Sequence, residues 1–336
     1  MRINQDRRSF LATAAATFAG LELPMLGATK SLLGGLSALR NATTWLNSPP
    51  LTADGLRGKV VLVDFCTYTC VNWLRTLPYL RAWDAKYRER GLVVIGAHTP
   101  EFDFEHDLDN VRRAIKAMRI DYPIAVDNEY AIWNGFSNQY WPALYLIDGK
   151  GATRFTHFGE GAYDESERKI QNVLGDLGAK GFSPELVTVE ARGLEVAADW
   201  GNLRSPESYL GTQQGRGFVR SGARLRLNEW TVAGDWTLGS KAVALKQPSG
   251  RIVYRFHARD LNLVMGPAAR GASVRFRVRI DGQPVGGGAD VDAQGQGVVT
   301  EQRTYQLIRQ ARPIEDRQFE IEFLAAGVEA FCFTFG

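Results

Sequence analysis

An α/β domain followed by an all-β sandwich of jelly-roll type is the fold class this sequence predicts, on three observations. Up to about residue 184, continuous apolar runs alternate with stretches whose apolar residues recur at helical spacing, the pattern of buried strands separated by amphipathic helices. Beyond that point helical periodicity stops, and short strand-like segments follow one another with Gly-rich turns. The length of 336 residues accommodates roughly two domains of about 150 residues each.

The elements follow in order. Residues 29–57 read as a linker-like approach, stopped by NSPP at 47–50. KVVLVDF (59–65) is a continuous apolar run, as expected of a strand covered on both faces. Over residues 70–89, Leu74, Leu77, Leu80, Trp83 and Tyr87 form one apolar stripe of a helix. GLVVIGAH (91–98) is another buried strand. Residues 105–118 are helical, with Val111, Ile115 and Met118 on one face. YPIAVD, ALYLID and TRFTHFG supply three more strands, and residues 164–178 a closing helix, which together argue for a mainly parallel sheet. In the second region eight segments read as strands. In RQFEIEFLA, Phe319, Ile321 and Phe323 alternate with polar residues, the mark of a sheet with one wet face. GQPVGGGADVDAQGQG (282–297) reads as a flexible loop.

Composition and motifs exclude several functions. A formal charge of +3 is too small to argue for nucleic acid. The four histidines are scattered, no zinc-type pattern or P-loop occurs, and neither metal nor cofactor is expected. The N-terminus carries adjacent Arg7 and Arg8, then Phe10, Leu11 and a short Ala-rich stretch interrupted by Glu22 and Pro24. That order points to a twin-arginine export signal, hence a periplasmic or other extracytoplasmic location, rather than to a membrane span. The competing reading is an ordinary basic amphipathic N-terminus. The expected division is 1–40 for signal and linker, 41–184 for the α/β domain and 185–336 for the sandwich.

Chemistry concentrates in DFCTYTCVNWLR (64–75), where a strand ends, Cys66 and Cys70 follow, and a helix starts. A thiolate at a helix N-terminus is stabilised by the dipole and by unpaired backbone N–H groups, and Cys70 has that position. Asp64, at the end of the strand, could relay protons beneath a thiol site or could cap the loop amides. Pro142, before ALYLID, could be cis against such a site and leave the backbone of Trp141 open to β-type pairing with a substrate. Cys332, in an alternating terminal strand, reads as core packing. Trp200, Tyr209, Trp230 and Trp236 could line a sugar-binding face or fill the sandwich core.

Residues 59–178 resemble the thioredoxin superfamily, in particular its TlpA-like and peroxiredoxin-like redoxins. The stronger resemblance is to the exported C-terminal region of the DipZ family. It rests on Phe65, TYTC (67–70), Asn72, Leu74-Arg75, HTPEFDFE (98–105), YWPALYLID (140–148) and GEGAY (159–163), and extends through SPESYLG (205–211), FHARDLNLVMGP (256–267) and EAFCFTFG (329–336). It implies a thioredoxin-like α/β fold with a carbohydrate-binding-module-like sandwich behind it, a nucleophile at Cys70, a buried acid at Asp64 and a cis-proline at Pro142. Relative to the family pattern, Trp and Cys trade places: Cys66 stands at the family's Trp, and Trp73 at its second cysteine. Three readings stay open. Cys66 and Cys70 could form a rearranged disulfide pair. Cys70 could act alone, in thiol exchange or on a hydroperoxide. Redox function could be lost, leaving a module that binds a protein partner or glycan. The expected partners are protein thiols or disulfides, with a carbohydrate or small ligand at the sandwich.

Overall fold

The computed structural model describes residues 34–220 and 224–336. The twin-arginine segment lies outside these described residues.

A 3-10 helix over Gly34–Asn41 leads into β1 (Thr44–Leu46). There follow β2 (Val60–Cys66), α1 (Val71–Tyr87), β3 (Leu92–His98), α2 (Leu108–Ala117), β4 (Ile124–Val126), α3 (Ala131–Gly135), β5 (Ala143–Ile147), β6 (Thr153–Phe158) and α4 (Tyr163–Asp176). The six strands form one sheet in the order β1-β4-β3-β2-β5-β6. All seven residues of β2 are buried, as its unbroken apolar run requires of a central strand. Val60, Leu62 and Cys66 face a core shared with Trp73, Leu77 and Trp83 of α1. Val61, Val63 and Phe65 pack on the opposite face against Leu36, Leu39 and Ile132.

Two expectations are corrected here. The sheet is not mainly parallel: β2, β3 and β4 run parallel, but β1 pairs antiparallel with β4, β5 with β2, and β6 with β5. The short turn at residues 148–152, closed by the Asp148–Ala152 hydrogen bond, permits only an antiparallel β5–β6 pair. The stretch 29–57 is also more than a linker, since its Thr44–Leu46 segment is an edge strand and Asn47 Nδ2 donates to the carbonyls of Ile120 (2.8 Å) and Tyr122 (3.1 Å). Three residues are too few to show a period, so nothing local marks that strand.

The second region contains β7 (Ser208–Tyr209), β8 (Trp230–Ala233), β9 (Trp236–Leu238), β10 (Val243–Leu245), β11 (Gly250–Phe256), β12 (Asp260–Pro267), β13 (Val274–Ile280), β14 (Gln283–Pro284), β15 (Gln296–Val299), β16 (Arg303–Arg309), β17 (Arg317–Phe323) and β18 (Val328–Phe335). They form two antiparallel sheets, β16-β12-β18-β10-β9 with β7 on β18, and β14-β13-β17-β11-β8 with β15 on β13. The stretch expected to be a loop at 282–297 includes β14 and begins β15. Phe256, Leu263, Phe276, Phe319, Ile321 and Phe333 fill the space between the sheets. One sheet keeps a wet outer face, on which Arg277 and Arg279 of β13 stand opposite Glu322 and Glu320 of β17. The other does not. Every residue of β12 is buried, and Val264, Phe331 and Cys332 join the core of α1. Its outer face is the one that lies on the α/β region, which explains why LNLVMG shows no alternation.

Candidate active site

The loop between β2 and α1 carries the cysteines. It is closed by hydrogen bonds from Cys70 N to Thr67 O (3.1 Å) and from Thr99 N to Cys66 O (2.9 Å), and Leu74 N bonds Cys70 O (2.9 Å) to begin the helix. Cys70 is the N-cap of α1 and makes no side-chain capping bond. Its sulfur thus stands at the positive end of the helix, where a thiolate is favoured. Sγ lies 3.9 Å from the carbonyl oxygen of Trp141, and the Trp141–Pro142 peptide bond is cis. Cys70, Trp141 and Pro142 are therefore brought together, with Cys70 8% exposed.

Asp64 and Cys66 lie deeper. Cys66 is 2% exposed and is a free thiol, so no bridge joins it to Cys70. Its sulfur sits 3.6 Å from the point a Cβ would occupy on Gly96, and Gly96 is the register partner of Asp64 on the neighbouring strand. The thiol thus leans back along the sheet, toward the level of Asp64. Burial pushes its pKa well above the ordinary thiol range, and the charges of Asp64, Glu105 and Cys70 push it further. Asp64 is wholly buried. Trp73 Nε1 donates to Asp64 Oδ2 over 2.7 Å, and Oδ1 has no hydrogen-bond partner among the described residues. Burial raises the Asp64 carboxyl to about 7, against the Trp73 bond, which lowers it.

Other residues that hold the site were not singled out in the sequence. Glu105, wholly buried, accepts from Thr69 Oγ1 (2.7 Å) and Thr69 N (3.3 Å) through Oε1, and from Glu101 N (2.7 Å) and Phe102 N (2.9 Å) through Oε2. Burial raises it to about 7, against the hydrogen bonds it accepts, among them those from Phe102 N and Thr69, which lower it. In HTPEFDFE it is one acid among several, and only its burial distinguishes it. Arg75, in the second turn of α1, bonds Glu160 Oε1 (2.8 Å) and the carbonyl of Phe335 (2.9 Å), with both charged side chains nearly out of water. From the sandwich, Thr304 Oγ1 donates to the carbonyl of Thr69 over 2.7 Å.

The four sandwich aromatics do not share one face. Trp230 is buried and donates to Arg216 O (2.8 Å), Trp236 donates to Ala233 O (3.0 Å), and Tyr209 bonds Glu101 and Glu207 at the contact with the α/β region. Trp200 is 63% exposed. Among the described residues no cluster of His, Cys, Asp and Glu could hold a metal ion, and no helix is long and apolar enough to cross a membrane.

Comparison with known proteins agrees with this architecture. Residues 205–336 match the family described as thioredoxin like C-terminal domain. The DipZ proteins of Mycobacterium bovis and Mycobacterium tuberculosis are each 33% identical over 315 residues, which is 89% of this chain. This chain is a homologue of DipZ. It spans 42% of the length of those proteins. The thiol-disulfide oxidoreductase YkuV of Bacillus subtilis is 25% identical over 138 residues, 41% of this chain and 93% of that protein. The α/β region is thus a thioredoxin-like fold homologous to thiol–disulfide oxidoreductases, and the antiparallel sandwich follows it.

Proposed function

We propose that the protein carries out thiol–disulfide exchange with Cys70 as its nucleophile. The observation that carries this is the position of Cys70 at the N-cap of α1, with its sulfur against the Trp141 carbonyl. The Cys70 thiolate attacks one sulfur of a partner's disulfide, forming a mixed disulfide and releasing the partner's second sulfur as a thiolate, which takes a proton. The partner's backbone lies along Trp141-Pro142. Trp73 occupies the position three residues after Cys70 and has no sulfur. Cys66 is buried with its thiol held protonated, so it resolves the mixed disulfide poorly. An outside thiol then attacks the mixed disulfide, releases the partner as a thiol and leaves Cys70 bridged to it, and a second outside thiol frees Cys70.

Trapping tests this. Cys70 should be found in mixed disulfides by non-reducing peptide mapping. Turnover of a generic disulfide should require added small thiol, vanish in Cys70→Ser and persist in Cys66→Ser. Turnover that survives Cys70→Ser would overturn the assignment.

A second reading is favoured by one observation: the Trp73 indole occupies the buried carboxylate of Asp64, so the acid is engaged in structure. The domain would then be a redox-inactive module that binds a protein partner or glycan. The alkylation rate separates the two, since a binding module has no reason to make Cys70 faster than an ordinary thiol near neutral pH.

We further propose export by the twin-arginine route. It is supported by Arg7-Arg8 followed by Phe10-Leu11 and a short Ala-rich run.

A further inference from the structure

The segment that carries Cys70 is held on both sides by the sandwich. Before it, Thr69 O accepts from Thr304 Oγ1 at 2.7 Å, with both residues buried. After it, Arg75 donates to the carbonyl of Phe335, the last residue but one. Beside it, Phe331 of β18 packs edge-on to Phe104 (4.9 Å between centroids), which in turn packs on Tyr68 (6.2 Å). Residues 68–75 are therefore held directly at two points, and at a third through Phe104, by a sheet whose contributing strands lie more than two hundred residues away.

One of these contacts acts on the peptide group next to the nucleophile. The Thr69–Cys70 peptide has two polar ends. Its N–H, on Cys70, donates to Thr67 O. Its carbonyl, on Thr69, accepts from Thr304. With both ends bonded the peptide plane cannot rotate, and the direction of the Cys70 Cα–Cβ bond is set with it. Glu105 holds Thr69 from the other side, through the amide and the hydroxyl, but does not reach this carbonyl. Among the described residues, the hydroxyl of Thr304 does.

We propose that Thr304 of the sandwich is a positioning residue for Cys70, fixing the peptide plane that aims its sulfur at the Trp141 carbonyl. The sandwich is then part of the thiol site, and the α/β region alone lacks one of its fixing bonds. This rests on the reading of Cys70 as a reactive thiol.

The test uses the full chain and reads Cys70 by peptide mass spectrometry after timed iodoacetamide labelling across a range of pH. Thr304→Val keeps shape and removes the hydroxyl, so Cys70 labelling should slow by about three- to tenfold, the worth of one hydrogen bond, and its pH midpoint should move. Thr304→Ser, which restores the donor, should return both the rate and the midpoint. Urea unfolding shows whether each variant is folded. A folded Thr304→Val with the parent's rate and pH profile overturns the proposal. Thr304→Ala serves the same comparison if valine is not accommodated, and if neither accumulates as folded protein Thr304 is a folding residue and the proposal fails. A parent whose Cys70 labels no faster than a small-molecule thiol overturns instead the reactive-thiol reading on which this stands.

Discussion

The indole N–H of Trp73 donates to Oδ2 of Asp64 over 2.7 Å, inside the core and out of contact with water. The acid beneath the thiol loop is thus half satisfied by the residue three positions after Cys70. Its other oxygen has no partner among the described residues.

The first prediction concerns pH. Folding raises the Asp64 carboxyl from 3.8 to about 7, so the folded state binds this proton more tightly than the unfolded state. The stability it contributes is full below the unfolded value and is lost as pH rises through about 7. Glu105, raised from 4.5 to about 7, acts in the same direction. The unfolding free energy should therefore fall across this window, and Asp64→Asn should fall less, the gap growing to at most about 4 kcal/mol. Urea melts of both proteins at several pH values measure it, and parallel curves would contradict the buried, protonated Asp64.

Rebuilding a second thiol should restore turnover. Cys66 and Trp73 belong to the same core between the sheet and α1. The exchange Cys66→Trp with Trp73→Cys nearly conserves volume and places a thiol one helical turn after Cys70. Insulin-disulfide reduction should rise well above the parent's and lose its dependence on added small thiol. A parent already as fast as the rebuilt protein would show that Cys66 resolves the mixed disulfide.

Glu105→Gln should cost about 2–4 kcal/mol. The carboxylate accepts from four donors at once, and an amide offers only one oxygen, so two backbone or hydroxyl donors lose their partner in a buried site. Equilibrium unfolding reads the loss, and a neutral result would mean that water replaces the carboxylate.

Arg75→Met should be worse than its own deletion suggests. It leaves Glu160 buried without a counter-charge, at a cost of about 3–5 kcal/mol, and strips the Phe335 carbonyl of a donor. Burial already raises the Glu160 carboxyl despite Arg75. Adding Glu160→Leu should recover a large part of the loss, and a double-mutant cycle that finds the two changes additive would deny their coupling.

Replacing Arg7 and Arg8 together with lysine should retain the protein in the cytoplasm. Cell fractionation is the measurement, and unchanged export of that variant excludes the twin-arginine route.

Periodicity encodes several elements of this fold directly. A run such as KVVLVDF has one fate in water-soluble protein, burial on both faces, and β2 follows it. The helical stripe from Leu74 to Tyr87 likewise specifies α1, and the change of pattern after residue 185 specifies a sandwich. The place of Cys70 at a helix start and the burial of Asp64 are legible for the same reason, because each belongs to a single element with a clear period. Features that depend on two elements meeting have no such local mark. The backward lean of Cys66 brings its sulfur beside Gly96, a neighbour that only the pairing of β2 with β3 supplies. Glu105 looks like its exposed neighbours in sequence and becomes a four-donor acceptor only when the loop folds over it. The bond from Thr304 to Thr69 spans 235 residues. Local pattern records which face of an element is apolar. It carries no record of which distant face will cover it, and in this protein the face that covers the thiol loop belongs to the sandwich.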